Sequence, residues 1–137
     1  MNYYINFPLL SSLFFITNSI HALYNQTYIY ALVFAFLTIT SLIRHSIQNL
    51  TTYIIDRIAI LCVVICGGYI LYKKSKIILD KKLFFEIIII FIIIIAFFLT
   101  IFLYKYQCFH SNINIANLYH SLLHLVGSTG HHLIMFL

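Results

Sequence analysis

Long apolar runs separated by short polar breaks dominate the chain. They predict five helices, over about residues 7–24, 28–45, 53–72, 83–104 and 113–137. Each run is close to the roughly 20 residues that an α-helix needs to cross a bilayer. The fourth run is rich in β-branched Ile, which favours strands in water, but a lone segment in lipid satisfies its backbone only as a helix. The pattern therefore predicts an all-α, polytopic transmembrane bundle.

The composition supports this class and excludes others. The chain is 63% hydrophobic and only 8% charged, whereas a soluble domain is about 25% charged. It cannot supply the polar surface of a soluble enzyme or a nucleic-acid-binding domain, and a disordered chain or a disulfide scaffold is an equally poor fit. We expect a single transmembrane domain over residues 1–137. The expected partner is a membrane lipid, with no nucleic acid and with homo-oligomerisation left open.

Positive charge is unequal between the two predicted membrane faces. Counting spans places Arg44, Arg57 and Lys105 at one face. The other face has a predicted loop that carries Lys73, Lys74, Lys76, Lys81 and Lys82. Because cytoplasmic loops carry an excess of Lys and Arg, the lysine-rich face is predicted to be cytoplasmic. This orientation places the N-terminus on the extracytoplasmic or lumenal side and the C-terminus in the cytoplasm.

Four ionisable residues near the ends of predicted spans fall at the same face. His45 ends the second span, Asp56 opens the third, and His120 and His124 lie in the first half of the fifth. An extra or missing helix between Asp56 and His120 would have separated them. Ionisable groups in a membrane span are costly and mark candidate functional sites.

The spacing of these residues predicts a metal site. His120 and His124 are four residues apart, so both imidazoles lie on one helix face. With His45 they form a three-His set, which leaves Zn²⁺ a fourth position for water whose pKa falls to about 7. Ser41, one turn before His45, could hydrogen-bond that water or an oxyanion. Asp56 could accept the proton or orient a ligand imidazole, or merely pair with an arginine.

Together these residues resemble the CREST superfamily of membrane hydrolases. The similar elements are Ser41-x-x-x-His45, Asp56 early in the next helix, and His120-x-x-x-His124 in the last helix. The interval from His45 to Asp56 is similar to that of alkaline ceramidases. The residues from His120 to Ser128 are more similar to the myomaker and GPI-remodelling branch. The superfamily also contains the progestin and adipoQ receptors.

The resemblance implies zinc bound by His45, His120 and His124, with Ser41 and Asp56 as catalytic residues. It implies hydrolysis of lipid amide or ester bonds, as in ceramidases or acyl hydrolases. The superfamily usually has seven helices, whereas this chain is predicted to have five. With two helices fewer, the protein could have an open groove, form a dimer, or bind metal without turnover.

The sequence therefore predicts a zinc-dependent lipid hydrolase with zinc hydroxide as nucleophile. One alternative is a receptor-like or structural protein in which zinc is only a scaffold. Another is a metal-free bundle or channel component. His131 lies about 16 Å deeper than His120 along the same helix, too far to bind the same ion, and is predicted to line a cavity or face the core. His21, His110 and His132 are predicted to be interfacial.

Overall fold

Five helical rods follow one another with short turns between them in the computed structural model, which describes residues 6–137. The helices are α1 Phe7–Ser11, α2 Phe14–Tyr24, α3 Tyr28–Ser46, α4 Leu50–Asp80, α5 Phe84–Phe102 and α6 Ile113–Phe136. The first rod is α1 and α2 joined by a bend, and α5 continues through a π-helical turn, Leu103–Gln107. The all-α prediction is confirmed. The predicted location of the N-terminus concerns residues 1–5, which lie outside the described residues.

Four of the described helical segments are long and apolar enough to cross a membrane. They are Phe7–Tyr24, Tyr28–Ser46, Leu50–Asp80 and Phe84–Gln107. The helix α6 is long enough too, but its histidines, serines and asparagines lower its hydropathy and it is not among the four. Its polar residues need partners inside the bundle, so α6 depends on the other helices to cover it.

The interior of the bundle combines an apolar core, which includes Phe15, Phe34 and Leu37, with buried polar side chains. The buried polar residues are Ser11, Ser12, Asn18, Thr38, Thr40, Ser41, Asp56, His124 and Ser128. In α5 only Ile89 and Ile93 are buried, and most of its other Ile and Phe side chains are exposed on the outer surface. An outer surface this rich in large apolar side chains is unlike that of a soluble globule and is typical of helices that face lipid.

The bend between α1 and α2 comes from two serines that follow a proline. The hydroxyls of Ser11 and Ser12 both donate to the carbonyl of Pro8, over 3.1 and 2.8 Å. Hydroxyls that bond back to a carbonyl one turn earlier bend helices. The backbone tightens there, since the N–H of Leu13 bonds to the carbonyl of Leu10. The bend directs both serine side chains into the bundle.

The third rod is longer than the sequence pattern indicated. The predicted span ended near residue 72 with a lysine loop after it, but α4 continues to Asp80 and the turn covers only 81–83. That expectation is corrected: Lys73, Lys74 and Lys76 are helical, because no Gly or Pro interrupts residues 69–80 and Lys is a good helix former. The Lys74 ammonium group also donates to the carbonyls of Ile134 and Met135, which ties this extension to α6.

A glycine lets three helices approach closely at the centre of the bundle. The Tyr30 hydroxyl of α3 hydrogen-bonds the Nδ1 atom of His131 in α6, and both side chains lie against Gly67 of α4. A Cβ atom at Gly67 would lie 2.7 Å from the Tyr30 hydroxyl and 2.9 Å from the Cε1 atom of His131. The next residue, Gly68, has open space where its Cβ atom would be.

We predict that Gly67→Ala destabilises the protein by about 1–3 kcal/mol, because the added methyl group overpacks the contact between Tyr30 and His131. The matched variant Gly68→Ala meets no neighbour and should be neutral or stabilising by up to about 1 kcal/mol. Thermal unfolding of both variants in one detergent measures the difference. Equal melting temperatures for the two variants would contradict this description of the contact.

Candidate metal centre

Three histidines from two helices meet at one end of the bundle. His45 lies in the last turn of α3, and His120 and His124 lie on successive turns of α6. Their ring centroids are separated by 4.9 Å for His45–His120, 5.4 Å for His45–His124 and 4.8 Å for His120–His124. One ring nitrogen from each residue lies within 4.8 Å of the other two. This group could hold a metal ion, as the spacing predicted.

The donor set fits a metal ion bound by three imidazoles. Zn–N bonds of 2.0–2.1 Å in a tetrahedral site place the nitrogens about 3.4 Å apart. The nitrogens here lie within 4.8 Å of one another, so side-chain rotations that move them by about 1 Å would complete such a site. Imidazole ligands also suit iron, copper and nickel. The geometry therefore identifies three candidate ligands, which suit several metal ions, zinc among them.

Ser11 orients the most buried of the three imidazoles. Its Oγ atom lies 2.8 Å from the Nδ1 atom of His124 and donates its single proton to the carbonyl of Pro8. The serine oxygen therefore accepts a hydrogen bond from Nδ1–H of His124, which leaves the lone pair on Nε2 for a metal. Phe15 packs on the same imidazole, with ring centroids 5.0 Å apart, and restricts its rotation.

Ser41 is hydrogen-bonded by the neighbouring serine of the bend. The Oγ atoms of Ser41 and Ser12 lie 2.8 Å apart, and Ser12 donates its own proton to the carbonyl of Pro8. Ser41 is therefore the donor in this pair. It is buried, and its side chain borders the same cavity as His120 and His124. To donate to an oxyanion, Ser41 has to give up its bond to Ser12.

Asp56 combines an ion pair with an unpartnered oxygen. Its Oδ2 atom accepts from the Nη2 atom of Arg57 over 3.2 Å. Its Oδ1 atom is buried and has no hydrogen-bond partner among residues 6–137. The carboxylate borders the cavity that Ser41, His120 and His124 also line. A buried acceptor without a partner is costly and calls for a donor such as a water molecule or a ligand.

Two cavities meet at the histidines, and we name them for their linings. The apolar cavity has a volume of about 100 Å³ and extends from Ser41, Asp56 and His124 past Val63 and Val64 to His131. The polar cavity has a volume of about 190 Å³ and is lined by Arg44, His45, Tyr53, Arg57, Tyr104 and His120. His120, Arg57 and Tyr104 border both. The site therefore has an apolar side and a cationic side.

The remaining histidines lie away from the triad. His131 borders the apolar cavity and bonds to Tyr30, consistent with the predicted cavity lining. His132 pairs with His21: its Nδ1 atom lies 2.8 Å from that of His21, and its Nε2 atom 2.9 Å from the Thr17 hydroxyl. This pair packs α2 against α6, and its placement at the membrane interface stays a prediction.

Four residues at the site were not predicted from the sequence. Ser11, Ser12, Arg57 and Tyr104 contact or border the predicted residues, and none was assigned a role there beyond the pairing of Asp56 with an arginine. Serines at the third and fourth positions after a proline are the signal that could have identified the bend.

Comparisons with known proteins assign no family to the chain. No family model matches it, and neither curated proteins nor solved structures provide a significant match. What is established is therefore an all-α chain with four candidate membrane spans and a three-His cluster, His45, His120 and His124, that could hold a metal ion.

Proposed function

We propose that this protein is an integral membrane, zinc-dependent hydrolase of lipid amide or ester bonds. The observation that carries the proposal is the position of the triad: His120, His124 and Asp56, which has an unpartnered carboxylate oxygen, border the apolar cavity, and His45 joins them from the polar cavity. Three protein ligands with a free fourth position are typical of catalytic rather than structural zinc. A zinc ion held there would polarise the scissile carbonyl and supply a water-derived nucleophile near neutral pH.

Asp56 is the proposed general base. Its Oδ1 atom has no partner among the described residues, so it is free to accept the proton of the attacking water. Its Oδ2 atom is bound by Arg57, which holds the carboxylate in place. The same carboxyl group then gives this proton to the leaving nitrogen or oxygen as its bond to the carbonyl carbon breaks. Its burial beside the imidazoles excludes bulk water from this transfer.

Ser41 is the proposed donor to the developing oxyanion. In the resting protein its proton is engaged by Ser12, so the hydroxyl must rotate toward the substrate. A donor aimed at developing charge stabilises the transition state more than the ground state. The apolar cavity would receive an acyl chain, since Val63, Val64 and Phe15 line it.

The proposed orientation places the site on the extracytoplasmic or lumenal side. Its support is the charge distribution: five lysines lie between residues 73 and 82, at the end of the bundle opposite the histidines. Cationic residues are enriched at the cytoplasmic end of membrane helices.

One observation favours the alternative of a scaffold metal in a receptor-like or structural protein. The only hydroxyl proton of Ser41 is directed at Ser12, within a network that also holds His124 through Ser11 and Pro8. Such a network stabilises the fold whether or not a substrate is cleaved. The alternative predicts that metal supports stability while replacing Asp56 has no effect.

We predict that Asp56→Asn retains the metal and loses about 10²- to 10⁴-fold in the rate of lipid hydrolysis, because the amide cannot accept the proton. The measurement is release of fatty acid from a panel of ceramides, monoacylglycerols and lysophospholipids by protein purified in detergent. Metal content is determined on the same samples.

The matched control is Glu86→Gln, which neutralises a carboxylate at the start of α5, away from the triad, and should retain full activity. Hydrolysis by Asp56→Asn at the rate of the control would contradict the role of Asp56. Metal-loaded wild-type protein that hydrolyses no acyl lipid would instead support the scaffold alternative.

We also predict that Ser11→Ala weakens zinc binding by about 10- to 100-fold, because the variant loses the partner that orients His124 and fixes its tautomer. Competition with a chromogenic chelator gives the dissociation constant. The control is Ser19→Ala, which removes a serine hydroxyl bonded to the Ala31 carbonyl and remote from the histidines. Equal zinc affinities in the two variants would show that Ser11 does not orient a ligand.

A further inference from the structure

Uncompensated positive charge surrounds the polar cavity. Arg44 and Arg57 both line it, and Asp56 is the acidic residue beside them. The chain has three acidic residues in total, and the other two, Asp80 and Glu86, flank the turn at the opposite end of the bundle. Two guanidinium groups therefore face one carboxylate, and this end of the bundle carries excess positive charge before any metal binds.

Aromatic rings hold the two guanidinium groups in place. The Cζ atom of Arg57 lies 5.1 Å from the ring centroid of Tyr53 and 5.2 Å from that of Tyr104. The Cζ atom of Arg44 lies 5.4 Å from the centroid of Tyr53. Contacts with ring faces leave the N–H groups at the edge of a guanidinium free to bind an acceptor.

The hydrogen-bonding capacity of both arginines is largely unused. Arg57 makes one hydrogen bond to Asp56, and its buried Nε atom has no partner within residues 6–137. Arg44 makes no ion pair in this part of the chain. A buried guanidinium N–H without an acceptor is costly, so the cavity is suited to a ligand that brings acceptor oxygens.

We infer that the lipid bound at this site carries a phosphate head group, which Arg44 and Arg57 bind in the polar cavity. The acyl chain lies in the apolar cavity, and the bond between head group and chain crosses the histidines where the cavities meet. This inference rests on the proposed function in one respect, since that function makes the bond at the histidines the one that is hydrolysed. The binding itself depends only on the two arginines and the two cavities.

A phosphate fits better than an uncharged head group for two reasons. It offers several acceptor oxygens to two adjacent guanidinium groups, and Arg binds phosphate through paired hydrogen bonds. A neutral head group would leave the excess charge of Arg44 and the Nε atom of Arg57 without compensation.

The test is binding of three probes to chelator-treated, full-length protein in a nonionic detergent, so that no metal can attract phosphate. The probes are lysophosphatidic acid, a monoacylglycerol with the same chain, and glycerol 3-phosphate. Native mass spectrometry or thermophoresis gives the affinities. We expect lysophosphatidic acid to bind at least about tenfold more tightly than each of the other two.

The variants Arg44→Gln and Arg57→Gln should remove this preference. Arg44→Gln is the cleaner of the two, because Arg44 has no ion-pair partner in the described residues that its loss would leave unpaired. Lys73→Gln is the matched control, since Lys73 also lies over a tyrosine, 4.7 Å from the Tyr69 centroid, but on the opposite half of α4. It should retain the preference.

Three results would overturn the inference. Wild-type protein could bind the monoacylglycerol as tightly as lysophosphatidic acid, or glycerol 3-phosphate could bind equally well, which would indicate a site for free phosphate. The preference could also be lost in Lys73→Gln and retained in Arg44→Gln. Phosphate-dependent binding without hydrolysis by metal-loaded protein would refute the proposed function and leave the head-group inference intact.

Discussion

The hydrogen-bond network that positions the candidate metal ligands is built around one backbone carbonyl, that of Pro8, inside the apolar helical bundle. The Pro8 carbonyl accepts from Ser11 and Ser12, and these serines in turn accept from His124 and Ser41. Each of these hydrogen bonds determines which atom donates in the next one. The bend between α1 and α2 therefore sets the tautomer of His124 in α6. The lone pair that a metal needs is exposed because the other ring nitrogen is already bonded.

The position of the triad between two unlike cavities gives the site its chemical character. The apolar cavity passes between α4 and α6 towards His131, whereas the polar cavity is bordered by Arg44 and Arg57. An amphiphilic lipid that occupies both cavities would place the bond between its head group and its acyl chain beside the histidines. Asp56 connects the two sides, since one carboxylate oxygen pairs with Arg57 and the other is unpartnered among the described residues. Under the proposed function, the Asp56 carboxylate thus positions Arg57, which binds the head group, and also transfers a proton.

Helical periodicity and the count of spans were sufficient to predict that His45, His120 and His124 converge. The four-residue spacing places two imidazoles on one face of α6, and an even number of intervening spans returns the chain to the same end. The contacts of Ser11 and Ser12 were beyond this reasoning, because they depend on the bend after Pro8 and not on a repeating pattern. The length of α4 was also missed: hydropathy marks where a helix leaves lipid, whereas its end at Asp80 depends on capping and on contacts of the lysine-rich segment with α6.

We propose that His45, His120 and His124 form an open metal site, and elemental analysis of detergent-purified protein measures the bound metal directly. We expect about one zinc ion per chain in the wild type and almost none in His120→Ala/His124→Ala. The matched control is His21→Ala/His132→Ala, which removes the histidine pair between α2 and α6 that lies away from the triad and should keep its zinc. Metal-free wild-type protein, or equal loss of zinc in the two double variants, would show that these three histidines do not form a metal site.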